Sequence, residues 1–213
     1  MKGLDPQWWD YAFAHSDAVP ALLQALERET FQKVLQPRML SGPLQGRFLS
    51  FLSKLMRPNT ILEIGTFTGY ATLCLAEGLD PKGKIHTIDC NEELVELQQK
   101  YFQQAPQANQ IKSYLGMALD VLPQLEGPFD LVYLDADKIN YGHYFDLVLP
   151  KMTKGGLLLS DNVLWDGKVL EDPNPKDLVT KALQAYNKKL KNDPRVESLL
   201  LPLRDGLTLS RVL

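Results

Sequence analysis

Two short acidic motifs carry the residues whose types and spacing point most directly to chemistry. The first reads DADK at residues 135–138 and the second reads SDN at residues 160–162, each directly after an apolar run. If those runs are neighbouring parallel strands, a right-handed crossover returns the chain to the same edge of the sheet. Asp135, Asp161 and Asn162 would then meet there. Two carboxylates with an amide oxygen suit a hard cation, Mg²⁺ first, with Ca²⁺ or Mn²⁺ as alternatives.

Lys138 lies three residues beyond Asp135, near the start of the next predicted helix. Held near the cation and away from water, its amine could act as a general base toward a substrate hydroxyl. Each residue also has a plainer interpretation: Asp135 could cap a helix, Asp161 and Asn162 could form a turn, and Lys138 could be a solvated surface charge. Repulsion between unpaired carboxylates at one edge favours a bound cation or proton.

A glycine-rich turn follows the first predicted strand, Thr60–Ile64. Gly65 and Gly69 stand four positions apart, which lets the backbone turn tightly and approach a ligand closely. The dinucleotide fingerprint GxGxxG would need further glycines where Phe67 and Tyr70 stand, so the turn fits a cofactor without a pyrophosphate better than it fits NAD. A glycine-rich turn is also simply how many strand-to-helix connections close, so these glycines alone leave the function open.

The ends of the next two predicted strands add to this turn. Asp89 ends the second, where an acidic residue typically accepts hydrogen bonds from ribose hydroxyls. The alternative is a helix N-cap, which Asn91 with Glu92 could provide equally well. The third strand ends at residues 116–118, where the small Ala118 would leave room for a flat base. Together these strand ends describe a site for a nucleoside that carries a non-phosphate arm.

An open α/β sheet is the fold that brings these strand ends together. Short apolar runs alternate with stretches of helical character, which predicts a mostly parallel, Rossmann-like sheet with helices on both faces. The predicted strands are 60–64, 84–88, 111–115, 129–134 and 155–159, and the helical stretches are 70–79, 92–104, 118–125 and 141–149. Two final runs, 196–201 and 207–212, predict an antiparallel hairpin, since Asp205-Gly206 between them is a turn signal.

Residues 1–58 are predicted to form a helical N-terminal cover over an α/β core at 59–213, all in a single domain. Asp17 and Pro20 suit the start of one helix, and a second is expected to start near Pro43.

The composition excludes several classes of protein. The chain has 23 Lys and Arg against 26 Asp and Glu, a net charge of −3, which argues against a nucleic-acid partner. No apolar run approaches the roughly 20 residues that span a bilayer, and Asp5 and Asp10 interrupt any signal-peptide core. Two cysteines, Cys74 and Cys90, fit a reducing compartment. We therefore expect a cytoplasmic protein with no membrane partner.

The combined motifs resemble the cation-dependent caffeoyl-CoA and catechol O-methyltransferase family, within the class I S-adenosylmethionine-dependent methyltransferases. The similarity runs from about Met39 to Leu213, and its specific segments are 62–70, 135–141, 161–165 and 205–206. The family implies a small aromatic acceptor and, because its members are typically homodimers, a second copy of this chain as partner. An aromatic cluster, Trp8, Trp9, Tyr11 and Phe13, would pack on the sheet domain or, alternatively, form a dimer contact or an acceptor lid.

The resemblance also implies a role for individual residues. The cofactor S-adenosylmethionine would be bound by Ser41, Glu63, Gly65, Thr66, Gly69, Ala71, Asp89, Ala118, Asp135 and Asp137. The cation would be held by Asp135, Asp161 and Asn162, and Lys138, beside Asp135, would be the catalytic base. The acceptor pocket would be shaped by Lys138, Tyr141, Trp165, Asp166 and Arg204.

Two positions depart from the plant members of that family. Ala71 stands where they have a serine that meets the cofactor carboxylate, and Asp166 stands where they have an asparagine near the acceptor. These differences leave methyl transfer in place and leave the acceptor open between a simple catechol, a caffeoyl group and a caffeoyl-CoA-like ester.

Two alternatives from other classes use the same sheet. A NAD(P)-dependent dehydrogenase is disfavoured by the missing GxGxxG and by the lack of a Ser/Tyr-x-x-x-Lys pair. A non-catalytic nucleoside-binding module is disfavoured by the intact set of Asp135, Lys138, Asp161 and Asn162.

Overall fold

Seven strands form one sheet in the computed structural model, which describes residues 6–172 and 174–213. Along the chain they are β1 (Thr60–Ile64), β2 (Lys84–Asp89), β3 (Ile111–Leu115), β4 (Phe129–Leu134), β5 (Met152–Asp161), β6 (Val196–Leu201) and β7 (Leu207–Val212). Their spatial order is β3-β2-β1-β4-β5-β7-β6. Strands β1 to β5 are parallel, and β7 runs antiparallel to both β5 and β6. The predicted Rossmann-like sheet with a C-terminal hairpin is confirmed.

Helices cover both faces of the sheet, as predicted. They are α1 (Pro6–Ala14), α2 (Ala21–Lys33), α3 (Gly42–Met56), α4 (Tyr70–Ala76), α5 (Val95–Phe102), α6 (Ala118–Val121), α7 (Tyr141–Val148) and α8 (Leu178–Asn192). One apolar core joins the sheet to α6, α7 and α8, and a second joins its other face to α2, α3, α4 and α5. Because both faces of the sheet are covered, the central strands β1 and β4 are buried almost throughout rather than at every second residue.

Helix α8 is the main element that the apolar runs do not predict. Its buried residues Leu183, Tyr186 and Leu190 recur at helical spacing, and Asp177 caps its start by accepting from the Thr180 amide at 3.0 Å. The remaining positions are mostly polar, so the helix lacks the contiguous apolar stretch that marks the others. Its burial depends on the outer edge of the sheet being present.

Strand β5 is also longer than predicted. It begins at Met152 rather than at Gly155 and runs to Asp161. Thr153 and Lys154 break the apolar run, but backbone pairing with β4 and β7 does not require apolar side chains at the strand's ends. In the part of the chain that the structure describes, no helix combines the length and apolarity that crossing a membrane requires.

Candidate functional site

The carboxyl ends of the parallel strands are joined to one another by backbone hydrogen bonds. The amide of Asp135 donates to the carbonyl of Ile64 at 2.9 Å, and that of Gly65 donates to the carbonyl of Ile88 at 2.9 Å. The amide of Gly116 donates to the carbonyl of the last residue of β2 at 2.8 Å. The predicted turn, acidic strand end and small-residue turn therefore lie side by side at one edge, where open α/β sheets bind ligands.

Both glycines of the first turn are required by the backbone. Gly65 has φ +102°, and a Cβ there would overlap the carbonyl oxygen of Asp135. Gly69 has φ +91°, immediately before α4, and a Cβ there would overlap the ring of Phe102. A residue with a side chain would be strained at either position and would separate β1 from β4 or α4 from α5.

Asp89 fixes the shape of this turn. Its carboxylate accepts from the amide of Phe67 at 2.6 Å and from the amide of Asn91 at 2.9 Å. Phe67 has φ +49°, an unusual backbone conformation for a bulky residue. The N-cap of the following 3₁₀ turn is Asn91, which accepts from the amide of Glu93 at 3.0 Å. The structure thus gives the capping role to Asn91 and leaves Asp89 at the edge of the sheet.

Glu63 lies fully buried at the base of the glycine-rich turn. Its Oε2 accepts from Thr87 at 2.5 Å and from Thr72, while its Oε1 has no partner among the described residues. Burial raises the pKa of Glu63 to about 8, against the lowering effect of the threonine hydroxyls, and the negative charge of Asp135 adds to the increase. Thr66, also buried, shares a 2.5 Å hydrogen bond with Thr87 and ties the turn to β2.

Asp161 is held by three donors at the end of β5. Its Oδ2 accepts from the amide of the Gln45 side chain at 2.5 Å and from the Tyr133 hydroxyl at 2.9 Å, and its Oδ1 accepts from the backbone amide of Asn162 at 2.8 Å. Burial raises the pKa of Asp161, and the nearby negative charge of Asp135 raises it further. The two carboxylates are electrostatic neighbours, as the adjacency of β4 and β5 requires.

Lys138 is not a solvated surface charge. Its side chain is 9% exposed, and its Nζ lies 2.8 Å from the Asp135 carboxylate and 5.0 Å from the centroid of the Tyr141 ring. The plainer interpretation of this lysine is therefore wrong. A half-buried carboxylate and a buried amine share one corner of the sheet edge, beside the end of β5.

Two of the residues expected in the acceptor pocket make hydrogen bonds to the surrounding framework. Tyr141 is fully buried, and its hydroxyl donates to the carbonyls of Leu134 at 3.2 Å and Asp161 at 3.0 Å, so it ties β4 to β5 beneath the site. Arg204 donates to Gln45 Oε1 at 3.0 Å and to the carbonyls before α3. The Tyr141 side chain is enclosed, whereas Arg204 also forms part of the wall of a cleft.

The other acceptor residues lie in the loop after β5. Trp165 is half-buried with φ +50°, and Lys168 Nζ lies 5.9 Å from the centroid of its ring. Asp166 is exposed with φ +51°. Residues 41–45 with Phe13 and Arg204 line a cleft of about 220 Å³.

The remaining predicted cofactor residues are spread along the same edge. Ser41 is buried directly before α3, Ala71 is buried in the first turn of α4, and Ala118 begins α6. Asp137 is exposed, and its carboxylate accepts from the Tyr144 hydroxyl and from the Asn140 side chain at 2.5 Å.

Three polar residues at this site are not predicted by the motifs: Gln45, Tyr133 and Asp205. Gln45 contacts Asp161 across 116 positions of sequence, and no local spacing signals such a pair. Asp205 belongs to a recognised segment, but only the fold places it against the loop after β5. Among residues 6–172 and 174–213, no group of three or more His, Cys, Asp and Glu side chains is arranged to hold a metal; the predicted set has two acids and one amide.

Fold and site together define an α/β methyltransferase, and comparison with known proteins agrees. Residues 13–213 match the family model described as O-methyltransferase. The chain belongs to the O-methyltransferase family of the class I S-adenosylmethionine-dependent methyltransferases. The dehydrogenase and binding-module alternatives are therefore wrong.

Its relatives include plant and bacterial proteins. Caffeoyl-CoA O-methyltransferase 1 of Eucalyptus globulus is 39% identical, with 81% of this chain and 74% of that protein covered. Catechol O-methyltransferase of Niastella koreensis is 34% identical, with 83% of each covered. The crystal structure of an O-methyltransferase from Bacillus cereus in complex with SAH has a TM-score of 0.90 at 27% identity and 96% coverage of both chains.

Proposed function

We propose that this enzyme transfers the methyl group of S-adenosylmethionine to one hydroxyl of a small vicinal-dihydroxy aromatic compound. The reaction would use a divalent cation, preferably Mg²⁺, bound where β4 and β5 end. The observation that carries this proposal is the buried Lys138 beside Asp135, next to the buried Asp161. Lys138 would then serve as a proton acceptor directly beside oxygen ligands suited to a hard cation.

The residues at this edge fit a cation. Asp135, Asp161 and Asn162 would hold it through oxygen atoms alone, which suits Mg²⁺ better than a softer metal. Asp135 and Asp161 are neighbouring carboxylates, and a cation between them would offset the repulsion that burial strengthens. When bound, the cation supplies Lewis acidity that makes a hydroxyl easier to ionise.

The glycine-rich turn fits the cofactor. Gly65 brings the backbone of β1 against β4. Glu63 keeps one buried oxygen without a partner among the described residues, which a donor from a ligand or a water molecule would satisfy. Glu63, Gly65, Thr66 and Gly69 would surround the methionine end, and Asp89 would accept from the ribose. Ser41, Ala71, Ala118 and Asp137 complete the proposed cofactor contacts.

Lys138 is the proposed base. In its neutral form the amine takes the proton of the acceptor hydroxyl, whose oxygen then forms a bond to the methyl carbon as the carbon–sulfur bond breaks. The rest of the catalysis is alignment of oxygen, carbon and sulfur, which can lower a barrier by about 7–11 kcal/mol in favourable cases. Asp135 and Tyr141 hold the lysine from two sides.

The arginines favour a simple catechol over a CoA ester as the acceptor. Arg47 forms an ion pair with Glu77 at 2.5 Å, and Arg204 is bound to the start of α3. These two arginines therefore do not form a cluster around the phosphates of a long anionic acceptor. Trp165 and Asp166, in the loop after β5, are the proposed acceptor contacts.

Methyl transfer to a panel of catechols, measured with Mg²⁺ and with a chelator, tests the proposal. We expect transfer to catechols that falls by more than tenfold with the chelator and returns when Mg²⁺ is added back. Matched monophenols should be poor acceptors, because they lack the second hydroxyl. Transfer that is unaffected by the chelator would make Asp135, Asp161 and Asn162 structural residues.

We further propose a homodimer in the cytoplasm. On the N-terminal cover, Trp8 and Tyr11 are 64% and 63% exposed, and Phe51 and Leu55 of α3 are 67% and 73% exposed. The expectation that the aromatic cluster packs on the sheet domain is thus not met by Trp8 and Tyr11, and Trp9 lies outside the described side chains. Covering such side chains with a second copy would remove them from water. Unpaired Cys74 and Cys90 fit a reducing compartment.

Light scattering coupled to size-exclusion chromatography should give twice the chain mass for the unmodified protein. Replacing exposed Phe51 by Asp should give the single-chain mass with an unchanged circular dichroism spectrum, whereas Lys82→Asp, on the connection between α4 and β2, should leave the dimer intact. A single-chain mass for the unmodified protein would contradict the dimer.

A further inference from the structure

The carboxylate of Asp161 is almost fully occupied by hydrogen bonds from the protein itself. An ionised carboxylate accepts at about four positions, two on each oxygen. Its Oδ2 accepts from the Gln45 side-chain amide at 2.5 Å and from the Tyr133 hydroxyl at 2.9 Å, which fills both positions on that oxygen. Its Oδ1 accepts from the backbone amide of Asn162 at 2.8 Å. Among the described residues, these three donors leave one position, on Oδ1, for a ligand.

The two donors to Oδ2 are also bonded to each other. The Nε2 group of Gln45 carries two hydrogens, and it donates both to Asp161 and to the Tyr133 hydroxyl, the latter at 2.9 Å. That hydroxyl in turn donates its own hydrogen to Asp161. The three side chains therefore form a closed triangle of hydrogen bonds around Oδ2.

Gln45 is held from its other end by Arg204. Arg204 Nη1 donates to Gln45 Oε1 at 3.0 Å. A guanidinium group can only donate and a carboxylate can only accept, so one orientation of the glutamine amide satisfies both neighbours. Gln45 and Tyr133 are both buried. Because a buried donor without an acceptor is unfavourable, these two groups hold Oδ2 firmly.

We propose that Gln45 and Tyr133 are positioning residues that restrict Asp161 to ligation through one oxygen and thereby select Mg²⁺ over Ca²⁺. Mg²⁺ demands near-ideal octahedral geometry, whereas Ca²⁺ takes about 6–8 oxygen ligands and accepts both oxygens of one carboxylate. With Oδ2 occupied, Asp161 contributes a single ligand, which suits the smaller ion. This inference rests on the proposed cation site and adds to it two residues that act through Asp161.

The test measures the ratio of the dissociation constants for Ca²⁺ and Mg²⁺. Each constant is obtained by displacing Mn²⁺, which is followed by electron paramagnetic resonance. In the double variant Gln45→Met with Tyr133→Phe, both positions on Oδ2 are free and the side chains keep much of their volume. We expect the unmodified protein to prefer Mg²⁺, and the ratio to fall by about tenfold in the double variant. Because both constants come from one sample, a fraction of misfolded protein does not change their ratio.

The single variants and a matched tyrosine complete the experiment. Gln45→Met and Tyr133→Phe each free one position on Oδ2, and each should show part of the fall. The control is Tyr186→Phe, since Tyr186 is also buried and its hydroxyl shares a 2.6 Å hydrogen bond with Ser160, the residue before Asp161 on β5. That substitution removes a buried hydrogen bond from the same strand but keeps both donors to Oδ2, so the ratio should match that of the unmodified protein.

Four results would overturn the proposal. An unmodified protein that binds Mn²⁺ but does not prefer Mg²⁺ to Ca²⁺ would contradict the selectivity and leave the cation site in place. An unchanged ratio in the double variant, or in both single variants if the double variant fails to fold, would remove the role of Gln45 and Tyr133. An equal fall in Tyr186→Phe would show a general effect of altered packing. An unmodified protein that binds no Mn²⁺ would remove the proposed cation site itself, and with it this inference.

Discussion

Replacing Lys138 with Met should lower kcat by about 10²–10⁴-fold, the range that a positioned general base contributes. Methionine keeps much of the volume in this 9% exposed position but has no amine to take the proton. Affinity for SAH, measured by calorimetry, should stay within about twofold, because Lys138 itself is not among the proposed cofactor contacts.

A half-buried lysine, Lys151, provides the control for this substitution. Lys151 donates to the carbonyls of Leu122 at 2.7 Å and Leu125 at 2.8 Å, on a different part of the fold. Lys151→Met should lower the melting temperature, because it leaves carbonyls without a donor, but should keep kcat near the unmodified value. If Lys138→Met kept most of its turnover while folding normally, the assignment of the base would be wrong.

Replacing Gly65 with Ala should destabilise the protein by about 2–5 kcal/mol and abolish detectable SAH binding. The added Cβ would overlap the carbonyl oxygen of Asp135 and lie 2.7 Å from its carbonyl carbon, and φ is +102°. A left-handed conformation alone costs a residue with a side chain about 1–2 kcal/mol, and overpacking against backbone adds about 1–3 kcal/mol. Urea unfolding and SAH calorimetry measure the two effects.

Gly167 offers a matched control for the backbone cost. It has φ +82°, but a Cβ there would meet nothing within 4 Å. Gly167→Ala should therefore cost only about 1–2 kcal/mol and leave SAH binding intact. Equal destabilisation of the two variants would mean that the contact between Gly65 and Asp135 does not matter for stability.

The strand ends are the part of the candidate site that short sequence patterns predict. Asp89 and Asp135 each follow an apolar run directly, and the order of such runs predicts a parallel sheet whose carboxyl ends share one edge. The same reasoning brings Asp161 to the neighbouring strand. It says nothing about Gln45 and Tyr133, because both reach Asp161 through side chains on elements that only the folded chain brings together.

Tyr141 and Arg204 show what local sequence patterns do not predict, namely the hydrogen-bond partners of a side chain. Their positions beside recognised segments suggest a pocket, but whether a side chain lines a cavity or supports the backbone depends on which polar groups lie within its reach. Tyr141 meets two strand carbonyls and Arg204 meets the start of α3, so both side chains are engaged. The apolar runs likewise do not predict helix α8, because its narrow apolar stripe is buried only when the sheet is in place beside it.

The class of fold, the edge of the sheet where the acidic strand ends meet, and the residue types available there can all be predicted from local patterns. These follow from apolar periodicity, from turn chemistry at Gly65 and Gly69, and from the acids that end the strands, all of which are short-range properties. Long-range contacts decide that Lys138 is buried, that Glu63 keeps an oxygen without a partner among the described residues, and that Asp205 accepts from the Asp166 amide. Burial and hydrogen-bond partners are set by contacts between distant parts of the chain, and local spacing does not encode them.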